Sequence, residues 1–188
     1  MHNLIAGSVR LWPEPTRFTP YFLPHSTDVA ALTTILSGDD RYYNNIFAGN
    51  GAADRRDEKM MPGLKIYDDA KLPVFITDNY YFFGAKPSAK DTKAFIDEAF
   101  DPVLRIEQKE ESVFLHFNVN KSYYNHGMKV LNTAILGKAR IPKARFDNPD
   151  GTPLTIDRDY LGNIRTEQNN IVGPFVNIKE GMMILKVW

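Results

Sequence analysis

The chain contains no cysteine in its 188 residues. Disulfides, thiol nucleophiles and zinc–thiolate centres are excluded together. No apolar run approaches the roughly 18 residues that a membrane-spanning helix needs, so the sequence offers no membrane partner. An excess of charge of one sign is also missing: 23 Lys and Arg balance 23 Asp and Glu. That balance removes the electrostatic reason to expect nucleic acid or an anionic surface as partner. The one short basic cluster, Arg55-Arg56, is offset by Asp54, Asp57 and Glu58. No Gly-rich phosphate loop, HExxH pair or serine nucleophile elbow is present, which sets aside nucleotide, zinc-protease and lipase chemistry. No secretory leader opens the chain. Met1 stands directly before the dense segment His2-Asn3-Leu4-Ile5-Ala6-Gly7, which reads as a start codon placed before a fragment. The compartment therefore stays open between a bacterial cytoplasm and export.

What is present is a recurrence. Asn3-Leu4-Ile5-Ala6-Gly7, Asn45-Ile46-Phe47-Ala48-Gly49 and Asn79-Tyr80-Tyr81-Phe82-Phe83-Gly84 each run from asparagine through a β-prone apolar stretch to glycine. Self-similarity at tens of residues points to stacked supersecondary units. Asparagine tolerates the left-handed backbone of a sharp corner. Stacked asparagines also bond to one another through their amides. Glycine ends each strand where the chain turns again. The pattern predicts corner, strand, corner: successive coils of a parallel β-helix, with three unrelated strand-end turns as the alternative. The long intervals between repeats, especially 11–39 and 50–62, are expected to bulge out as loops, where function usually sits.

The character changes after Gly84-Ala85-Lys86-Pro87. Residues 88–100 read as a short surface helix or linker. Beyond them, Val103–Glu107 and Val113–Val119 alternate with period two, as half-buried strands do. Glu110-Glu111 marks a turn between them. Further strands are expected at 129–136, 154–157 and 182–187, separated by strong turn signals at Asn148-Pro149-Asp150-Gly151 and Leu161-Gly162-Asn163. The expected organisation is all-β, with parallel coils over 1–90 and an antiparallel β-sandwich over 91–188.

Five segments resemble glycoside hydrolase family 120-like proteins. His2 to Ser8, Gly38-Asp39-Asp40-Arg41-Tyr42-Tyr43-Asn44-Asn45-Ile46-Phe47 and Leu72 to Pro87 resemble that family's last β-helix coils. Phe146 to Pro153 and Gly173-Pro174-Phe175 to Trp188 look like its terminal sandwich. The resemblance spans nearly the whole chain but only the C-terminal part of a longer enzyme. It implies a right-handed parallel β-helix followed by a β-sandwich, β-xylosidase activity with retention, an oligosaccharide substrate and no required cofactor, with a structural calcium as an option.

Retaining glycosidases use two carboxyl groups about 5–5.5 Å apart, one as nucleophile and one as acid then base. Asp39-Asp40-Arg41 is a source for the nucleophile. Neighbouring carboxylates on a strand point to opposite faces, so one of the two faces a groove while the other pairs or caps. Arg41 would keep the nucleophile ionised and touch substrate; the alternative is a turn with Arg41 in a surface pair. Glu58 is the acid/base candidate, as the one glutamate in the loop after the second repeat; the alternative is a solvated member of the charge run 54–59. Trp12, His2 and His25 are the sugar-binding candidates, since indole stacks on the C–H face of a pyranose and imidazole bonds its hydroxyls. His116 reads as structural, and His126 has no evident partner. Asp68, Asp69, Asp147, Asp150, Asp157 and Asp159 offer oxygen ligands for calcium, though turn chemistry explains most of them. A β-helix cut across its axis exposes strand edges. Homo-oligomerisation, or association with the N-terminal coils that the resemblance implies, is therefore expected.

Overall fold

The computed structural model describes residues 1–51, 56–124 and 127–188. Asp54, Arg55 and His126 lie outside the described residues. Among the described residues eleven strands follow in chain order: β1 (Leu4–Ile5), β2 (Glu14–Phe22), β3 (Val29–Ile35), β4 (Arg41–Tyr43), β5 (Ile46–Ala48), β6 (Phe75–Thr77), β7 (Tyr80–Phe82), β8 (Phe95–Asp97), β9 (Arg105–Lys109), β10 (Ser112–Val119) and β11 (Gly181–Lys186). Among the described residues helix is confined to short turns, so this structure is all-β.

The repeats stack. β1, β5, β7 and β8 form one parallel sheet in that order, in register Leu4–Ile46–Tyr80–Phe95 and Ile5–Phe47–Tyr81–Ile96. β4 and β6 pair in parallel as a second wall. The asparagines stand in a column. Asn3 donates from its Nδ2 to Asn45 Oδ1 at 3.0 Å, and Asn45 donates from its Nδ2 to Asn79 Oδ1 at 2.8 Å. Each acceptor also takes the backbone N–H of the asparagine that precedes it in the column, at 3.0 Å. Asn79 then donates to Asp91 Oδ2 at 3.0 Å, and the buried Asp91 also accepts from the Tyr81 hydroxyl at 2.9 Å. A carboxylate is an acceptor only, so Asp91 orients every amide above it. The left-handed corner falls one residue before each ladder asparagine, at His2, Asn44 and Asp78, with φ of 52°, 57° and 57°. Ladder and corner are thus divided between neighbouring positions, where the sequence pattern assigned both to one asparagine.

Alternation along each strand sends side chains to two cores. Phe47 stacks on Tyr81 at 5.2 Å between centroids, within a cluster that includes Leu64, Tyr67 and Ile76. Ile46, Tyr80 and Phe82 face the other way, into a cluster shared with Leu115, Phe117, Val119, Tyr123, Val172 and Phe175. Burying each such side chain contributes about 1.5–3 kcal/mol. Gly49 is required by close approach, because a Cβ there would lie 2.2 Å from the carbonyl oxygen of Phe83.

Two expectations are corrected. The stretch 88–100 is neither helix nor linker: it carries β8, whose Phe95 packs 4.7 Å from the Tyr80 ring. The parallel sheet therefore runs past residue 90. The stretch 129–136 is a bridge at Asn132 followed by a helical turn, Thr133–Leu136. Asn132 caps that turn by accepting from Ile135 N–H, and Gly137 ends it at φ 71°, as caps of these types do. Residues 154–157 supply isolated pairing through Thr155. β9, β10 and β11 form an antiparallel sheet in the order β11-β10-β9, with Glu110 at φ 53° in the expected turn.

Candidate functional site

Ser37, Gly38 and Asp39 are all left-handed, at φ 59°, 118° and 61°. Gly38 crosses so close to Leu72 that a Cβ would meet its carbonyl oxygen at 2.6 Å. This corner delivers the two adjacent carboxylates to different surroundings. Asp39 accepts from Arg41 Nη1 at 2.7 Å and from the Arg140 backbone N–H at 2.6 Å. Arg41 also donates to the carbonyl oxygen of Asp39, and reaches those of Leu136 at 3.0 Å and Lys138 at 2.8 Å. Its guanidinium lies over the rings of Phe75 and Phe146, 4.4 and 4.7 Å from their centroids. The side chain is 4% exposed. Arg41 thus sits inside the protein as a clamp between the rungs and the segment 136–146, and not in a surface pair.

Asp40 faces the hydroxyl pair of Tyr42 and Tyr67, whose oxygens are 2.8 Å apart. Burial raises the pKa of Asp40, the Tyr67 hydroxyl works against that rise, and the negative Asp39 adds to it. Both tyrosines are themselves pushed upward by burial, so they stay protonated donors. Tyr42 stands two residues after Asp40, and strand alternation places the two on one side; that signal was available in the sequence. Tyr67 comes from the 3-10 turn Lys65–Asp69, and no spacing pointed to it.

Glu58 opens a second 3-10 turn, Glu58–Met60, which Asp57 caps by accepting from the Lys59 N–H at 2.8 Å. That turn is tied to the Tyr67 turn by the pair Lys59–Asp69 at 2.7 Å. Asp40 thus meets the Tyr67 turn, and Glu58 opens the turn tied to it. Glu58 is exposed and lines a hollow of about 330 Å³ with Arg56, Lys86 and Glu98.

The remaining candidates lie apart. His2 is 7% exposed, with its ring nitrogen 3.1 Å from Asn44 Nδ2. Burial first, then the charge of Arg165, lowers its pKa to about 3, so it is neutral and offers no face to solvent. Trp12 is 80% exposed beside the base of the β2–β3 hairpin. His25 is an exposed, left-handed residue at the hairpin tip. β2 has nine residues, which at 3.3 Å each separates the two ends by roughly 30 Å, beyond the span of one sugar ring. Asp68 accepts from Ser88 and Ala89, Asp69 pairs with Lys59, Asp150 bonds Thr152, and Asp159 holds Asn163 and Val176 N–H. Among the described residues, no three His, Cys, Asp or Glu side chains converge on one point.

The geometry defines an all-β protein of stacked parallel strands that carries a half-buried carboxyl beside two phenols. No protein-family model and no curated protein matches the chain. Among solved structures, the complex of XylC with xylose superposes with a TM-score of 0.87 at 31% sequence identity. The match covers 100% of this chain and 32% of that one, so this chain corresponds to about a third of XylC.

Proposed function

We propose that the chain is the C-terminal portion of a glycoside hydrolase family 120-like β-xylosidase that acts with retention on xylo-oligosaccharides. The strands β1 and β4 to β8 are its right-handed β-helix coils, and the antiparallel region after them is its sandwich. Asp40 is the nucleophile. One observation carries this assignment: the two carboxylates diverge, so that Asp39 is spent on Arg41 and Arg140 while Asp40 faces Tyr67 and Tyr42. A half-buried carboxylate is under-solvated, hence a stronger nucleophile, and the Tyr67 hydroxyl stabilises its ionised form. Asp40 attacks the anomeric carbon and forms a glycosyl-enzyme, while Glu58 protonates the departing oxygen. Glu58 then takes a proton from the water that releases the sugar. The xylose bound by XylC supports the choice of sugar.

A second reading is a non-catalytic carbohydrate-binding or scaffold module. It is favoured by the exposure of Glu58 and by the hollow it shares with Lys86 and Glu98. Turnover of an aryl β-xyloside separates the two. With catalysis, Asp40→Asn lowers kcat by at least about a hundredfold, as loss of a reacting group does, and Asp39→Asn mainly lowers stability. Activity that survives both Asp40→Asn and Glu58→Gln refutes the assignment. Saturable binding of xylo-oligosaccharide without turnover selects the module.

A further inference from the structure

The contact between the two phenols beside Asp40 has a direction. The hydroxyl oxygens of Tyr42 and Tyr67 are 2.8 Å apart. Each hydroxyl has one proton to give and lone pairs to receive another, whereas an ionised carboxylate only accepts. The hydroxyl bonded to Asp40 is that of Tyr67, so Tyr67 spends its one proton there. The proton in the 2.8 Å contact is therefore Tyr42's. Among the described residues the Tyr42 hydroxyl has Tyr67 as its hydrogen-bond partner, and it reaches Asp40 by that route.

Both rings are held in place. Tyr42 lies on β4, with its ring 5.1 Å from that of Tyr67 at 64° and 6.4 Å from that of Phe47. Tyr67 is buried, and its turn is fixed from outside. Lys90 Nζ donates to the Tyr67 carbonyl oxygen at 2.9 Å, and Asp68 accepts from the Ser88 hydroxyl at 2.6 Å and the Ala89 N–H at 2.8 Å. The charges on that turn are already committed: Lys65 pairs with Asp68 at 3.1 Å, and Asp69 with Lys59 at 2.7 Å. The charged groups that face Asp40 are Asp39 and Arg41, of opposite sign.

We infer that Tyr42 is a positioning residue for Asp40: its hydroxyl donates to Tyr67 and so commits the single Tyr67 proton to one oxygen of the Asp40 carboxylate. The other carboxylate oxygen is left for the anomeric carbon, a step that rests on the reading of Asp40 as nucleophile. A hydroxyl that accepts one hydrogen bond donates the next more strongly, so the outer phenol strengthens the bond made by the inner one. The relay itself needs only the geometry of the three side chains.

The test is a carbon-13 titration of the 188-residue chain labelled at the aspartate carboxyls, with the Asp40 signal identified by its loss in Asp40→Asn. Tyr67→Phe and Tyr42→Phe keep both rings and remove one hydroxyl each. Tyr67→Phe is expected to move the Asp40 midpoint upward by about one pH unit, as loss of a hydrogen bond to a charged group does. Tyr42→Phe is expected to move it the same way by less. The double variant is expected to stop where Tyr67→Phe stops, because Tyr42 acts through Tyr67. An unmoved or lowered midpoint in Tyr42→Phe, or two shifts that add in full, overturns the inference. With an aryl β-xyloside, the acidic limb of kcat/KM is expected to follow the same order. A carboxyl titration that moves in this order while that limb stays fixed upholds the relay and refutes Asp40 as nucleophile, so the two readings fail separately.

Discussion

Replacing Asn45 by alanine tests the amide column directly. Asn45 is 0% exposed. Its side chain accepts from the Asn3 N–H and Nδ2, both at 3.0 Å, and donates to Asn79 Oδ1 at 2.8 Å. Alanine removes these three bonds but leaves the Asn45 N–H on Asn79 Oδ1. At about 1 kcal/mol net for each buried bond, and somewhat more where a partner is left bare, the loss is about 3–4 kcal/mol. Asn79→Ala costs more, about 4–6 kcal/mol, because it also strips one donor from the buried Asp91 and frees the Tyr42 carbonyl. Asn3→Ala, at the open edge, costs about 1 kcal/mol or less, since the backbone N–H of residue 3 still reaches Asn45. Urea unfolding followed by far-UV circular dichroism measures the series; Trp12 and Trp188 are both 80% exposed and make poor reporters. With a slope of about 2 kcal/mol/M, the Asn45→Ala midpoint falls by about 1.5–2 M. Asn45→Asp costs at least as much at neutral pH, because it sets two acceptors face to face. It recovers as the pH falls and the new carboxyl gains a proton to donate. Equal costs at residues 3, 45 and 79 would refute a directional column.

Two further outcomes follow from the same geometry. Arg41→Met strips the guanidinium from Asp39 and from two carbonyls. Breaking such an inward-facing pair costs about 3–5 kcal/mol, or about 10 °C in Tm for a chain this size, and scanning calorimetry reads it. His2 carries the acid sensitivity of the first corner. Its folded pKa of about 3 lies below its unfolded value of 6.5, so the unfolded chain takes the proton first. Its contribution is present above pH 6.5 and is lost as pH falls towards 3, by about 2 kcal/mol between pH 7 and 5. Burial raises the pKa of Asp40 and Asp91, which acts in the opposite sense. Comparing urea midpoints at pH 7 and 5 for the parent and His2→Asn subtracts those carboxyls. Parallel pH dependence in both proteins would show that His2 is not the sensor. Asparagine is chosen because it tolerates the left-handed backbone there.

The stacked rungs were legible because asparagine, apolar run and glycine recur together, and because each residue type has a distinct physical duty at a corner. β8 was not legible. Ala94, Phe95, Ala99 and Phe100 have helical spacing, and Asp91 stands where the pattern called for another amide. Stacking of Phe95 on Tyr80 overrode the local signal. At the candidate site, the divergence of Asp39 and Asp40 comes from a left-handed corner at residues 37–39 rather than from strand alternation, since both precede β4. The company each keeps was not legible either: Arg140 and Leu136, which fix Asp39 and Arg41, lie about a hundred residues away in sequence. Nor did the pattern show that 14–35 is a hairpin, which is why Trp12 and His25 were grouped although the fold holds them at opposite ends.

The shared aromatic core has a consequence for how the protein is made. Asn44, at an early corner, accepts the N–H of Gly173 at 2.8 Å. Ile46 and Tyr80 are covered by Val172 and Phe175. During synthesis, at about 5–20 residues per second, the first rungs leave the ribosome well before the segment that seals them. The nascent rungs therefore wait with one flank open, and consolidation of that flank comes only when residues 172–175 have been released.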